Sequence, residues 1–205
     1  ATDLLGARRH ALSAVQLSHE HSDHMSGAAP LCRRHRMPLY CSEAVRGAVL
    51  ERNGQFEGVQ SFVQGSSFTI GTLSVQPFSV PHDSVDPVCF LISSETATVG
   101  VVTDLGSVTH LVRQKLRQCQ LLVLEFNHDP DLLLRGSYPW KTKQRILSRV
   151  GHLSNETAAK LLGESAHPGL QRVILAHLSE KNNHPELARL HAEHALGVSS
   201  PVQLT

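Results

Sequence analysis

In the stretch LSHEHSDHMSG, residues 17–27, three histidines, a glutamate and an aspartate occupy six positions directly after the apolar run AVQLS. The same arrangement recurs along the chain. His82 follows SVQPFSVP, Asp104 follows TVGVVT, Glu125, Asn127 and His128 follow LLVL, and His177 follows RVILA. Short runs rich in Val, Ile, Leu and Phe read as strands. Loops at the ends of strands in a rigid sheet are where chemistry is mounted. Ligand-type residues at five strand ends therefore constrain the fold more than any single motif.

The remaining pattern alternates strand and helix. Strands are expected over 12–18, 38–42, 59–63, 72–80, 87–93, 96–103, 120–126 and 171–177, with residues 56–103 forming an antiparallel meander. Helices are expected after Ser42, over 107–119, after Ser154 and from Pro185 to a stop at Gly197, the serines being good N-caps. The mixture predicts one α/β domain over 1–205 with layers around mixed sheets. A net charge of +1 excludes a global field that would attract nucleic acid or a membrane surface. Cys32, Cys41, Cys89 and Cys119 form no CxxC pair, so they read as buried thiols in a reducing compartment. With no long apolar run and no secretory leader in this sequence, the expected location is the cytoplasm.

In His19-Glu20-His21-Ser22-Asp23-His24 the candidate ligands sit at i, i+2, i+4 and i+5. A helical HExxH site needs histidines four apart on one face, and position 23 is Asp. Alternating ligands leaving a strand can point one way, while the i+4/i+5 pair can curl to a second point. Such a loop can feed two adjacent divalent ions, and imidazole with carboxylate suits Zn and also Mn or Fe.

SHEHSDH, together with VPHDS, VTDLG and LAHLS in that order, resembles the signature of the metallo-β-lactamase fold hydrolases. LEFNHDPDLL, YPWKTKQRILS, GHLSNETAAKLL and AHLSEKNNHPE are similar to the YycJ/WalJ-like branch, bacterial cytoplasmic 5′-to-3′ exonucleases on DNA, and more distantly to tRNase Z and PhnP-type phosphodiesterases. The resemblance implies a four-layer αββα sandwich. It implies that His19, His21 and His82 hold one metal, that Asp23, His24 and His177 hold a second, and that Asp104 bridges them around a shared hydroxide. Family members carry further strands before this loop, whereas 18 residues precede His19 here. The first strands are expected to be missing, and an uncovered sheet edge would invite a second copy.

The fold alone does not choose among lactams, thioesters and phosphodiesters. His152, just before the Ser154 N-cap, can meet a phosphate with its imidazole and the helix end, as general acid or clamp. Lys141, Lys143, Arg145 and Arg149, with Tyr138 and Trp140, suit the backbone and bases of single-stranded DNA, or RNA. Glu125, Asn127 and His128 are expected to orient the ligands, with Asn182 and Asn183 as further candidates. The catalytic set read from the sequence is His152, Asp23 and Asp104, in a metal-dependent exodeoxyribonuclease. The alternative is a small-molecule hydrolase of the same fold: a cyclic phosphodiesterase, a lactamase or a thioesterase.

Overall fold

The computed structural model describes residues 12–54, 58–197 and 200–205. Its contacts gather into two units, one of residues 1–77 and 84–88, the other of 78–83 and 89–205.

In the first unit β1 (Val15–Gln16), β2 (Leu39–Ser42) and β3 (Val59–Phe62) form a parallel sheet with β2 central. Three helices serve it: α1 (Ser22–Met25), α2 (Ala28–His35) and α3 (Glu43–Asn53). The Ser42 side chain accepts from the Val45 amide as N-cap of α3, as its position predicts. Leu39, Cys41, Val45 and Val49 are fully buried in one cluster with Leu17, Met25 and Cys32. Each such aliphatic side chain contributes roughly 1.5–3 kcal/mol. β4 (Phe68–Ile70) and β5 (Leu73–Ser79) make an antiparallel hairpin, with Gly71 at φ 60° in the tight turn. Phe68 stacks between Tyr40 and Phe62, at centroid distances of 5.1 and 5.5 Å. The expected antiparallel meander needs correction at its start, because β3 lies parallel to β2. Residues 1–11, the chain opening where missing strands were expected, lie outside the described residues.

In the second unit β6 (Val88–Ser93) pairs antiparallel with β7 (Thr98–Val102). From β7 onward the sheet is parallel, through β8 (Leu121–Glu125), β9 (Arg172–Ala176) and β10 (Gln203–Leu204). Val102 lies opposite Leu124, and Leu124 opposite Leu175. Among the described residues five helices belong to this unit: α4 (His110–Leu116), α5 (Pro130–Arg135), α6 (Trp140–Ile146), α7 (Asn155–Ser165) and α8 (Pro185–Leu196). Helix α4 starts later than expected because Thr109 caps it, accepting from the Val112 amide. Leu122, Leu124, Phe126, Leu162, Val173 and Ala188 are fully buried in the core, as are Cys119 and, nearly so, Cys89. All four cysteines are buried and unbonded to one another, as core fillers should be. Among the described residues no helix is long and apolar enough to cross a membrane.

This sheet explains where the chemistry collects. Neighbouring parallel strands place their C-terminal ends along one edge, the usual ligand edge of such sheets. Asp104 follows β7, Glu125 ends β8, and His177 follows β9, so three adjacent strands deliver them side by side.

Candidate metal centre

In the first unit, β1 ends at Gln16 and the chain is held in place by two backbone bonds, Leu17 N–H to the Tyr40 carbonyl and Val88 N–H to the Ser18 carbonyl. His19 follows, 1% exposed. Its Nδ1 lies 2.9 Å from the Ser18 hydroxyl and its Nε2 3.1 Å from Nδ1 of His21. The loop then curls as the i+4/i+5 spacing suggested, into the single turn α1, with His21 at its N-cap and Asp23 and His24 upon it. The His24 ring returns to 4.2 Å from that of His19. Asp23 projects outward beside His24, 3.5 Å from its Nε2. Glu20, between the histidines, accepts the Val85 amide on both carboxylate oxygens, at 3.1 and 3.0 Å.

In the second unit the centre is the Glu125 carboxylate, with no exposed surface. One oxygen accepts from Nδ1 of His152 at 2.7 Å and from Nδ1 of His177 at 2.9 Å. The other accepts the amides of Leu105, at 3.1 Å, and Leu153, at 3.4 Å. Burial pushes this carboxyl up, but the hydrogen bonds and charge of the two imidazoles outweigh it, and its pKa ends below the ordinary value. Glu125 therefore ties the loops of Asp104, His152 and His177 to the end of β8. His177 Nε2 faces Asp104 Oδ1 at 3.4 Å. His82 donates Nδ1–H to the Gly151 carbonyl at 3.1 Å, which turns its Nε2 toward Asp104 Oδ1 at 3.9 Å. Burial pulls the His82 pKa down, against the opposing charge of Asp104.

Two glycines make this convergence possible. A Cβ on Gly106 would lie 2.2 Å from the Gly151 amide nitrogen, and one on Gly151 would lie 2.2 Å from the Ile146 carbonyl oxygen. The Asp104 and His152 loops thus meet backbone to backbone. Asp104 and His177 both adopt the left-handed region, at φ 60° and 57°. Such conformations cost about 1–3 kcal/mol in a residue with a Cβ and cluster at functional sites.

The donor set suits a divalent ion. Asp104, Glu125, His152 and His177 each offer a ligand atom within 4.8 Å of the others. In His82, His152 and His177 the Nδ1–H is committed to a carbonyl or carboxylate, so the Nε2 lone pair is the one presented. That is the usual arrangement behind a metal-binding imidazole.

The structure sorts the other expected residues. Asn127 donates to the His177 carbonyl at 3.0 Å and so positions that loop. His128 does not orient a ligand through its ring: it is 1% exposed, and neither ring nitrogen meets a hydrogen-bond partner among the described residues. Its contribution is its carbonyl, which accepts the Asn155 amide at 2.8 Å. Lys143 is a correction. It is 8% exposed, and its ammonium donates to the Leu134 carbonyl at 2.6 Å, holding α6 to α5 rather than facing a substrate. Arg145 is likewise engaged, forking onto both carboxylate oxygens of Asp83. Lys141 and Arg149 remain exposed. Asn183 exchanges hydrogen bonds with Asn155, at 2.8 and 2.9 Å, clasping the loop after His177 to the start of α7. Asn182 bonds to Ser179 within that loop. Sequence reasoning passed over Asp83, Asn155 and Ser18. Asp83 and Ser18 adjoin proposed ligands, and Asn155 follows a helix cap, so position alone could have marked all three.

The sequence matches the model of the Beta-lactamase superfamily domain over residues 3–178. It is 34% identical over 187 residues to the exodeoxyribonuclease YycJ of Bacillus anthracis, a match that covers 90% of this chain and 71% of that protein. The metallo-beta-lactamase fold protein YhfI from Bacillus subtilis has a TM-score of 0.75 at 21% identity, covering 100% of this chain and 80% of that one. Zn(2+)-bound PqqB from Methylobacterium extorquens has a TM-score of 0.68 at 19% identity, covering 98% of this chain and 71% of that one. Proteins of this fold bind divalent metals, zinc in the last case. Fold and sequence match agree, and the chain belongs to the beta-lactamase superfamily, with the metallo-β-lactamase fold.

Proposed function

We propose that the chain is a metal-dependent phosphodiester hydrolase acting on DNA, degrading single strands from the 5′ end. The observation that carries this reading is the Glu125 carboxylate joining His152 to His177 beside Asp104, at the start of α7. The name of the Bacillus anthracis relative, an exodeoxyribonuclease, supports DNA as the substrate.

His19, His21, Asp23, His24, His82, Asp104 and His177 are the proposed ligands for two divalent ions, zinc or manganese, with iron also compatible. When bound, such ions supply Lewis-acid polarisation of the phosphoryl group and acidify the attacking water. The chain's own residues do the rest. Glu125 fixes the tautomer and orientation of both imidazoles. Asp104 sets a negative charge among the three imidazoles, facing Nε2 of His82 and of His177 and lying 4.0 Å from Nδ1 of His152. His152, with Nδ1–H donated to Glu125, turns Nε2 toward the substrate; when that nitrogen also carries a proton it can give it to the departing oxygen or donate it to a phosphate. The first amides of α7 lie three residues on, where a helix start favours anions.

The test is hydrolysis of single-stranded oligonucleotides labelled at the 5′ or the 3′ end, with and without chelator. Early release of a short 5′-labelled product, abolished by chelator, is expected. Turnover of a small chromogenic phosphodiester with no attack on DNA would move the small-molecule reading to first place.

A further inference from the structure

Helix α6 is an unusual place for a tryptophan. Trp140 is its first residue and is 61% exposed, and it is the only tryptophan in the chain. An isolated exposed apolar residue means little. Here, however, among the described residues, five of the eleven exposed large hydrophobic residues, Leu132, Leu134, Trp140, Leu147 and Val150, fall between 132 and 150. These residues put exposed apolar side chains on one stretch of chain, from α5 to the loop after α6.

The helix beneath is fixed at several points. Lys143 ties it to the Leu134 carbonyl of α5, Arg145 ties it to Asp83, and the Ile146 carbonyl accepts the His152 amide at 3.0 Å. Lys143 and Arg145, two of the cations expected to face a substrate, are therefore engaged within the protein. Exposed cations on α5, α6 and the loops beside them remain, Arg135, Lys141, Arg149 and Lys181, against exposed Asp131 and Glu180. Lys181 lies 5.6 Å over the ring of Tyr138, joining the loop after His177 to the segment that enters α6.

We propose that Trp140 is a stacking platform for a base of single-stranded nucleic acid, with Lys141 and Lys181 holding the adjoining phosphates. This rests on the nuclease reading and deepens it. A flat aromatic face with flanking cations matches the bases and backbone of a single strand, the polymer that exposes both. The separation fits as well. Trp140 and Ile146 are six residues apart on one helix, about 9 Å at 1.5 Å per residue. On this proposal the strand runs from the phosphate that meets His152 to the platform, a span that a dinucleotide with its single phosphate does not fill.

Because Trp140 is the only tryptophan, its fluorescence reports on the platform directly. The metal-loaded protein is titrated with a ten-nucleotide phosphorothioate strand that resists cleavage, and with an abasic strand of equal charge. Trp140→Phe, Trp140→Ala and Lys141→Ala/Lys181→Ala are measured beside it by anisotropy of a labelled strand, with circular dichroism to check folding. The base-bearing strand is expected to quench the tryptophan and the abasic strand to leave it unchanged. Trp140→Ala should weaken binding by about 5- to 150-fold, the range that stacking of one base covers, with Trp140→Phe between it and the parent. Losing the two lysines should flatten the salt dependence of log Kd by about 0.7 per phosphate contact. Hydrolysis of a dinucleotide should not respond to any of these changes.

Equal quenching by the abasic strand, or unchanged affinity in Trp140→Ala, overturns the platform. So does self-association that Trp140→Ala abolishes, which would assign the surface to a second copy. Base-dependent quenching without any DNA cleavage would keep the platform and refute the nuclease reading. Cleavage without quenching would do the reverse.

Discussion

Replacing Glu125 by glutamine keeps the shape of a side chain with four hydrogen-bond partners and removes its charge. In the parent, one oxygen takes two imidazole Nδ1–H groups at 2.7 and 2.9 Å, and the other takes backbone amides. A glutamine whose oxygen keeps the Leu105 and Leu153 amides must turn its NH2 toward both histidines. Each ring must then offer a lone pair at Nδ1 and carry its proton on Nε2, the nitrogen proposed to meet the metal or the leaving oxygen. A hydrogen bond to a charged group is worth about 1.5–3 kcal/mol and a neutral one about 0.5–1.5 kcal/mol, so two charge-assisted bonds give way to weaker ones. Comparable changes behind metal-binding histidines weaken metal affinity about 10- to 100-fold. Loss of the orienting carboxylate in a serine-protease triad lowers kcat about 10⁴-fold through the same tautomer error. Glu125→Gln is therefore expected to bind metal 10- to 100-fold more weakly by competition with a chromogenic chelator. At saturating metal it should still hydrolyse DNA at least about a hundred times more slowly, with an unchanged circular dichroism spectrum. Affinity and turnover within twofold of the parent would refute the reasoning that places Glu125 at the root of the site.

Three further outcomes follow from particular residues. Burial lowers the His128 pKa to about 4, from 6.5 in the unfolded chain. The unfolded state thus binds the extra proton first, and stability falls on acidification between those values. About 2 kcal/mol should be lost from this group between pH 7 and pH 5, and urea titrations of His128→Leu should show an acid limb shallower by that amount. Gly151→Ala would press a methyl against the Ile146 and Arg145 carbonyls, at 2.2 and 2.3 Å. It should cost about 1–3 kcal/mol by thermal melting, with a loss of turnover from a displaced His152. Asn183→Ala leaves the fully buried Asn155 amide without its partner, a change worth about 1–3 kcal/mol. A double-mutant cycle with Asn155→Ala should return a coupling of at least about 0.5 kcal/mol.

Much of the site could be read in the sequence because it depends on local pattern. A strand shows in its β-branched run and a helix start in its capping serine, so the positions of His19, His82, Asp104, Glu125 and His177 at strand ends were legible. What was not legible depends on distant contacts. That β3 runs parallel to β2 follows from a partner twenty residues away. Helix α2 escaped notice because Gly27 caps it without a side chain and Pro30 stands in its first turn. Helices α5 and α6 have six and seven residues, too few for an apolar period to show. The charge of Lys143 said nothing of its burial, which is set by where α5 ends. Asp and His tolerate the left-handed backbone better than most residues, but nothing local in the sequence says that Asp104 and His177 adopt it.

The central claim is that these histidines and carboxylates serve a metal-dependent attack on DNA. Its most direct measurement is the hydrolysis of single-stranded DNA by chelator-stripped protein as Mn²⁺ or Zn²⁺ is added back, with metal per chain determined in the same samples and Asp104→Ala run beside the parent. The expected result is no hydrolysis when stripped, activity rising as bound metal approaches two per chain, and little recovery of either quantity in Asp104→Ala. Full hydrolysis by the stripped protein, or an Asp104→Ala variant that binds metal and cleaves DNA as the parent does, would contradict it.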